Sequence, residues 1–182
     1  MLSGIGGQGV QLAAQILARA ATAEKRYVSL FGIYEGVVRG GSTQSTLVFA
    51  DAPIETPPIV AKTWSLIAMH THHFADLEAK LRPEGLALFN SDIFEEDPAC
   101  NGACVAGVKA TSVATALGDP MAASMVMVGA YARATSLVSL ASLVTAMKVS
   151  VPDYRSQHIE LNETALEAGF EAIEPLYPAW EN

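Results

Sequence analysis

The chain has 182 residues, of which 51% are hydrophobic and 16% are charged, and its formal net charge is −8. A hydrophobic chain with so few charges is not intrinsically disordered, and its length fits one domain, which we expect to span residues 1–182. Since an ordinary soluble domain carries about 25% charged residues, we expect a partner to cover part of this surface.

The charged residues are distributed unevenly along the chain. Residues 1–150 contain 12 acidic and 10 basic side chains, whereas residues 151–182 contain seven acidic side chains and one base, Arg155. We therefore expect residues 151–182 to form an acidic peripheral segment. The sequence has no basic stripe, and this argues against nucleic-acid binding.

The longest weakly charged segment, residues 121–147, is a poor candidate for a membrane-spanning helix. It contains Arg133 and is built largely from Ala, Ser, Thr and Gly. The N-terminus also lacks the basic and apolar regions of a secretory signal. We therefore expect a cytoplasmic protein that binds a partner and does not enter the membrane.

Short apolar runs alternate with helical patterns, which is typical of a layered α/β domain. Only three residues precede Gly4, so the first strand is predicted to be very short or to begin upstream of residue 1. Ile54 is predicted to return antiparallel to a strand at 45–49, and Ser139 to cap a helix. Strands are predicted at 27–31, 45–49, 65–69, 86–89 and 104–108, and helices at 10–23, 74–81, 112–117, 121–134, 140–148 and 163–173.

Gly4, Gly6 and Gly9 have the spacing of a dinucleotide-binding turn. In such a turn the backbone approaches a pyrophosphate, and the helix N-terminus supplies N–H donors. An acidic residue is then expected at the end of the second strand, but none stands at Phe31 or Gly32, and Glu24 precedes that strand. With its confirming acid absent, the motif favours a tight, closely packed strand–helix turn over independent NAD binding.

Arg39, Gly40 and Gly41 form a second glycine-rich segment. An arginine beside two glycines can hold a phosphate or a carboxylate through two hydrogen bonds. In a doubly wound sheet this loop would face the first glycine loop across the crevice at the strand ends. The alternative is a structural or interface loop with a solvated arginine.

Other polar clusters give no firm site. Residues 70–73 contain three histidines, but only Asp76 stands near enough in sequence to complete a metal site, so a loop of exposed histidines is the simpler interpretation. Cys100 and Cys104 do not have the spacing of a redox pair and are interpreted as free thiols. We predict no catalytic residue and no metal ligand in this chain.

The glycine segments carry a family resemblance. Residues 4–10, Gly-Ile-Gly-Gly-Gln-Gly-Val, resemble the opening of the gamma subunit of 2-oxoacid:ferredoxin oxidoreductases, and residues 37–42 resemble the Arg-Gly-Gly loop of that family. Ser124 and His70 depart from the pattern, since Asn and an acidic residue are usual there. Further matching segments follow in order along the chain: Ile54 with Pro57 and Pro58, and residues 86–91, 125–130 and 138–140.

The resemblance implies a three-layer α/β fold with a mostly parallel mixed sheet and a Rossmann-like glycine-rich first turn. It also implies a complex that decarboxylates a 2-oxoacid oxidatively to acyl-CoA and CO2 and reduces ferredoxin. This chain lacks a thiamine–metal motif and cluster cysteines. Thiamine diphosphate, Mg²⁺ and the iron–sulfur clusters are therefore expected in alpha, beta and ferredoxin-like delta partners, with no cofactor assigned to this chain alone.

On this resemblance, the chain supports the thiamine and CoA site and the assembly of the subunits. The isolated chain is expected to be inactive and could form a homodimer. The alternative is a stand-alone nucleotide- or CoA-binding module without catalytic partners. The residues expected to contact the cofactor are Gly4, Gly6, Gly7, Gln8, Gly9, Arg39, Gly40 and Gly41, with Arg39 as the charged candidate.

Overall fold

The computed structural model describes residues 1–35, 40–72, 74–100 and 102–179. The strands are β1 (Leu2–Ile5), β2 (Tyr27–Tyr34), β3 (Ser42–Ala50), β4 (Thr63–Ala68), β5 (Leu81–Asn90) and β6 (Cys104–Val108). The helices are α1 (Val10–Ala23), α2 (Phe74–Glu78), α3 (Ala110–Ala116), α4 (Ala123–Thr135), α5 (Leu140–Ser150) and α6 (Ile159–Glu171). Short 3-10 turns lie at Pro120–Ala122 and Asp153–His158.

Within the described ranges the strands form one six-stranded sheet in the order β2-β3-β1-β4-β5-β6. The pairs β1–β4, β4–β5 and β5–β6 are parallel, whereas β3 runs antiparallel to both β1 and β2. The prediction of a mixed sheet with mostly parallel pairs is therefore confirmed. The antiparallel half is what brings the two glycine segments together.

The predicted antiparallel return at Ile54 is wrong. Ile54 lies in irregular backbone after β3, and both edges of β3 are already used by β1 and β2. A local turn signal at residues 51–53 could not reveal this, because the competing partners are distant in sequence. The predicted short first strand is found, since β1 has four residues and includes Gly4.

Alternation along β4 and β5 divides the core between the two faces of the sheet. Ile67 and Leu88 belong to the larger core, which also contains side chains from α1 and α3 to α6. Leu66 and Phe89 belong to a smaller core that includes Phe74 of α2. Helices α1 and α3 to α6 therefore cover one face of the sheet, whereas among the described helices only the five-residue α2 packs on the other face.

Helix α4 lies at the centre of the larger core. Each of its residues except Arg133 is buried, which agrees with its composition of small and aliphatic side chains. Helix α6, from the acidic segment, packs against α4 through Ala165, Leu166 and Gly169, which are buried. Only the outer face of this segment is therefore a solvated acidic surface.

Some element boundaries differ from the predicted ones for local reasons. Helix α2 ends at Glu78 instead of residue 81, because Leu81 begins β5 and pairs with Thr63. Ser139 caps α5 as predicted, since its hydroxyl accepts a hydrogen bond from the Ser142 N–H at 3.2 Å. Along the described helices, none combines the length and the apolar character needed to cross a bilayer.

Candidate functional site: the paired glycine loops

The two glycine loops lie side by side where β1 ends and β3 begins. Antiparallel pairing of β1 with β3 places Ile5 opposite Ser42, so the chain after β1 meets the chain before β3. The Gly6 N–H donates to the Gly41 carbonyl at 2.8 Å. The loops therefore meet because two strands pair antiparallel, and not across a crevice between parallel strands.

Three of the loop glycines adopt backbone conformations that other residues rarely take. The φ angles are +97° at Gly7, +74° at Gly9 and +75° at Gly40. A Cβ atom on Gly7 or Gly40 would meet no atom within 4 Å, so both glycines border open space. These positions are where an external group could approach the backbone closely.

Gln8 closes the first loop from within. Its Oε1 accepts a hydrogen bond from the Ile5 N–H at 3.0 Å, and its Nε2 donates to the Met69 carbonyl at 3.3 Å. A Cβ on Gly4 would lie 2.6 Å from the same Oε1, so Gly4 makes room for this side chain. Both residues therefore shape the turn.

Gly9 joins the first loop to the central helix. It occupies the N-cap position of α1, and a Cβ there would lie 2.8 Å from Ser124 Oγ. Ser124 lies in the first turn of α4 and is buried. The position at which the sequence departs from the family pattern therefore packs directly against the start of α1.

Gln11 was not singled out from the sequence, yet it fastens α1 to the antiparallel strands. Its Nε2 donates to Thr43 Oγ1 at 3.1 Å and to the Gln44 carbonyl at 3.0 Å. Its Oε1 accepts from Ser45 Oγ at 3.1 Å. The sequence held no signal that set it apart, since α1 also carries the polar residues Gln15 and Arg19, which are exposed.

The loops offer hydrogen-bond donors beside one acidic group. Within the described residues, the N–H groups of Gly7 and Gly9 have no acceptor, and the positive end of the α1 dipole lies there. The Glu35 carboxylate accepts from the Ser42 N–H at 3.3 Å, which adds a negative charge. Arg39, the predicted cationic contact, lies outside the described residues. The described donors fit a carbonyl or a phosphate oxygen, and Glu35 disfavours a second negative charge.

Glu24 has a structural role at the opposite end of α1. Its Oε1 accepts from the Ser139 N–H and from the Ser139 hydroxyl, both at 2.8 Å. Burial raises the pKa of Glu24, but hydrogen bonds from Ser139 and Ser142 outweigh burial and leave the pKa below its ordinary value. Glu24 therefore links α1 to α5.

The histidines of residues 70–73 and the two cysteines are the remaining polar positions singled out from the sequence. His70 Nδ1 accepts a hydrogen bond from the His72 N–H at 3.1 Å, while His73 lies outside the described residues. Cys100 is buried and Cys104 is exposed, and both are free thiols. Burial, with the charge of Glu78, raises the pKa of Cys100. Among the described side chains no group of three or more His, Cys, Asp or Glu could hold a metal ion.

Residues 1–172 match the model of the pyruvate ferredoxin/flavodoxin oxidoreductase family. The chain belongs to this family and is an oxidoreductase subunit. It is 30% identical over 178 residues to the 2-oxoglutarate synthase subunit KorC of Methanocaldococcus jannaschii, covering 96% of this chain and 93% of the relative. It is 32% identical over 183 residues to the common gamma subunit of pyruvate/ketoisovalerate oxidoreductases of Pyrococcus abyssi, covering 94% and 92%.

Solved structures give the same result for the fold. The gamma subunit of a keto/oxoacid ferredoxin oxidoreductase from Geobacter sulfurreducens superposes with a TM-score of 0.78 at 26% identity, covering 94% of this chain and 95% of that chain. A 2-oxoglutarate:ferredoxin oxidoreductase from Magnetococcus marinus has a TM-score of 0.81 at 16% identity, covering 98% of this chain and 32% of that longer chain. The gamma-subunit fold and family predicted from the glycine segments are confirmed.

Proposed function

We propose that this chain is the gamma subunit of a cytoplasmic complex that decarboxylates a 2-oxoacid oxidatively to acyl-CoA and CO2, with reduction of ferredoxin. The observation that carries the proposal is similarity along nearly the whole chain to subunits of 2-oxoglutarate and pyruvate/ketoisovalerate enzymes. The shared substrate class of these relatives is a 2-oxoacid.

In this proposal the partner subunits hold thiamine diphosphate, Mg²⁺ and the iron–sulfur clusters. A four-cysteine iron–sulfur cluster needs twice as many cysteines as the two in this chain. Thiamine diphosphate with Mg²⁺, and the clusters, therefore belong to alpha, beta and delta partners in this proposal. When bound there, thiamine diphosphate supplies the carbanion chemistry of decarboxylation.

The paired glycine loops are our candidate contact for CoA or for the subunit beside the thiamine site. The open space at Gly7 and Gly40 and the unused N–H groups of Gly7 and Gly9 support this role. Arg39 directly precedes Gly40 in sequence and is the cationic contact of this proposal. Gly4 and Gln8 hold the turn in shape.

Strand β2 is our candidate surface for subunit assembly. It lies at the edge of the sheet, carries no charged residue and pairs with β3 alone within the described residues. Proteins normally protect such edges with charges or proline. Exposed apolar side chains follow its whole length: Tyr27, Leu30, Phe31, Ile33 and Tyr34.

The loop role is tested in the assembled complex with Arg39→Ala. Loss of a charge-assisted contact to CoA should raise the KM for CoA about tenfold while the KM for the 2-oxoacid stays unchanged. Lys109→Ala, at an exposed cation before α3, is the control. An unchanged KM for CoA would exclude a CoA contact by Arg39 and leave the loop a structural or subunit-contact role.

The alternative of a stand-alone binding module is tested by calorimetry of the isolated chain with NAD, NADP, FAD and CoA. The subunit proposal expects no tight nicotinamide binding by the chain alone, although Glu35 follows β2, where an acid that holds the ribose hydroxyls is expected. Tight NAD binding by the chain alone would favour the module.

A further inference from the structure

A cavity lies at the other end of β1 from the glycine loops. It has a volume of about 700 Å³, within the range of small-molecule sites. Met1 and Leu2 line it at the start of β1, whereas the glycine loop follows the end of that strand. Residues 47–49 of β3 and 63–65 of β4 form two of its sides. We refer to it as the rear cleft.

The rear cleft has apolar walls and two positively charged side chains. Leu17, Leu47 and Ile67 contribute apolar walls. Lys62 and Arg82 are exposed and also line it, and none of its described lining residues is acidic. Along the described lining no carboxylate offsets these two cations, so the cleft favours a negatively charged ligand.

Arg82 is the more available of the two cations. Lys62 Nζ already donates to the Ala79 carbonyl at 2.8 Å. Arg82 has neither an ion pair nor a side-chain hydrogen bond within the described part of the chain. Its planar guanidinium group can hold a carboxylate through two parallel hydrogen bonds.

A buried hydroxyl pair adds a polar contact. Ser65 Oγ and Tyr131 Oη are 2.8 Å apart, and both residues line the rear cleft. One O–H donates to the other oxygen, so the remaining O–H has no acceptor among the described residues. Burial raises the pKa of Tyr131 to about 12, so the phenol remains protonated at neutral pH. A ligand oxygen would satisfy the unused donor.

We propose that the rear cleft binds a small amphipathic carboxylate, with its hydrocarbon part between the apolar walls and its carboxylate on Arg82. A carbonyl or hydroxyl oxygen in the hydrocarbon part accepts the unused O–H of the Ser65–Tyr131 pair. This site is separate from the paired glycine loops and does not depend on their proposed role.

The carboxylate is tested with two eight-carbon probes, octanoate and 1-octanol, titrated into the full chain by calorimetry. We expect one site per chain and at least tenfold tighter binding of octanoate, because a charge-assisted hydrogen bond to arginine is added. Arg82→Gln should remove this preference, whereas Arg19→Gln, at an exposed cation on α1 outside the cleft, should leave it intact. Equal affinities in the unchanged chain, or an unchanged preference in Arg82→Gln, would overturn the proposal.

The hydroxyl pair is tested with oxo-octanoates that carry a ketone at successive carbons. At least one isomer should bind about fivefold tighter than octanoate, and Tyr131→Phe together with Ser65→Ala should abolish this gain without changing octanoate affinity. No gain for any isomer would overturn the hydroxyl contact. Loss of octanoate binding when the chain is assembled with its partner subunits would show that a partner fills the cleft and would overturn the ligand site.

Discussion

Gly129 of α4 and Gly169 of α6 form a reciprocal contact in which each lies against the backbone of the other helix. A Cβ on Gly129 would overlap the Leu166 carbonyl, and a Cβ on Gly169 would overlap the Val126 carbonyl. The two helix axes can approach closely only because both positions lack a side chain. This contact fixes the acidic C-terminal helix on the central helix of the core.

Gly129→Ala should therefore destabilise the fold, although alanine favours helix formation. The added methyl group meets backbone, which cannot move aside as a flexible side chain could, so we expect a loss of about 3 kcal/mol. Urea unfolding measures the loss. Glu167→Ala, on the exposed face of α6, should change stability by less than about 0.5 kcal/mol. Equal stability of the two variants would show that the helices separate at little cost.

Gln11→Ala should destabilise the chain and loosen the glycine loops. It removes the hydrogen bonds to Thr43, Gln44 and Ser45, and leaves their polar groups without that partner. The expected loss is about 2 kcal/mol, with faster amide hydrogen exchange in residues 42–45. Gln15→Ala is a matched control, because Gln15 lies on the exposed side of α1. Unchanged exchange in Gln11→Ala would contradict this account of how the loops are held.

Glu24 gives a stability change with a defined pH dependence. Its pKa is lowered in the folded chain, so the ionised carboxylate stabilises the fold above the ordinary glutamate pKa of 4.5. That stabilisation is lost as the pH falls through the folded pKa. Glu24→Gln should cost about 1 kcal/mol at pH 7 and progressively less below pH 4, as measured by urea unfolding. A cost that is the same at pH 7 and pH 3 would exclude a role for the charge.

Ile33→Lys should weaken subunit assembly. Ile33 is 51% exposed on β2, so the change should leave the isolated chain folded while it places a charge on the apolar edge. We expect at least a tenfold loss of affinity for the partner subunits in a pull-down titration. Val149→Lys, at another exposed apolar residue on α5, should assemble normally. Normal assembly of Ile33→Lys would place the interface elsewhere.

The local features of the fold were largely predictable from the sequence. The periodic apolar residues of Val10–Ala23 and the short, mostly apolar run at Cys104–Val108 gave both elements with their observed bounds. Ser139 was predicted as a cap because serine before an apolar helix has a local hydrogen-bonding role. Such features depend on neighbours within four residues along the chain.

The features that depend on distant partners were not predictable in the same way. The glycine loops were expected to meet, but the antiparallel β1–β3 pairing that joins them is set by side-chain packing across the sheet. Gln11, the buried face of α6 and the rear cleft each depend on residues more than 30 positions away. Local patterns in a single sequence do not reveal which of several buried faces pack together.

The role that we propose for this chain is that of one subunit in a 2-oxoacid:ferredoxin oxidoreductase. It is tested most directly by purifying the tagged chain from its native host, identifying the copurifying proteins by mass spectrometry and assaying 2-oxoacid- and CoA-dependent ferredoxin reduction. The account predicts stoichiometric recovery of thiamine- and iron–sulfur-containing partners, with the activity in the same fraction. A chain that elutes alone, while the active fractions lack it, would contradict the account.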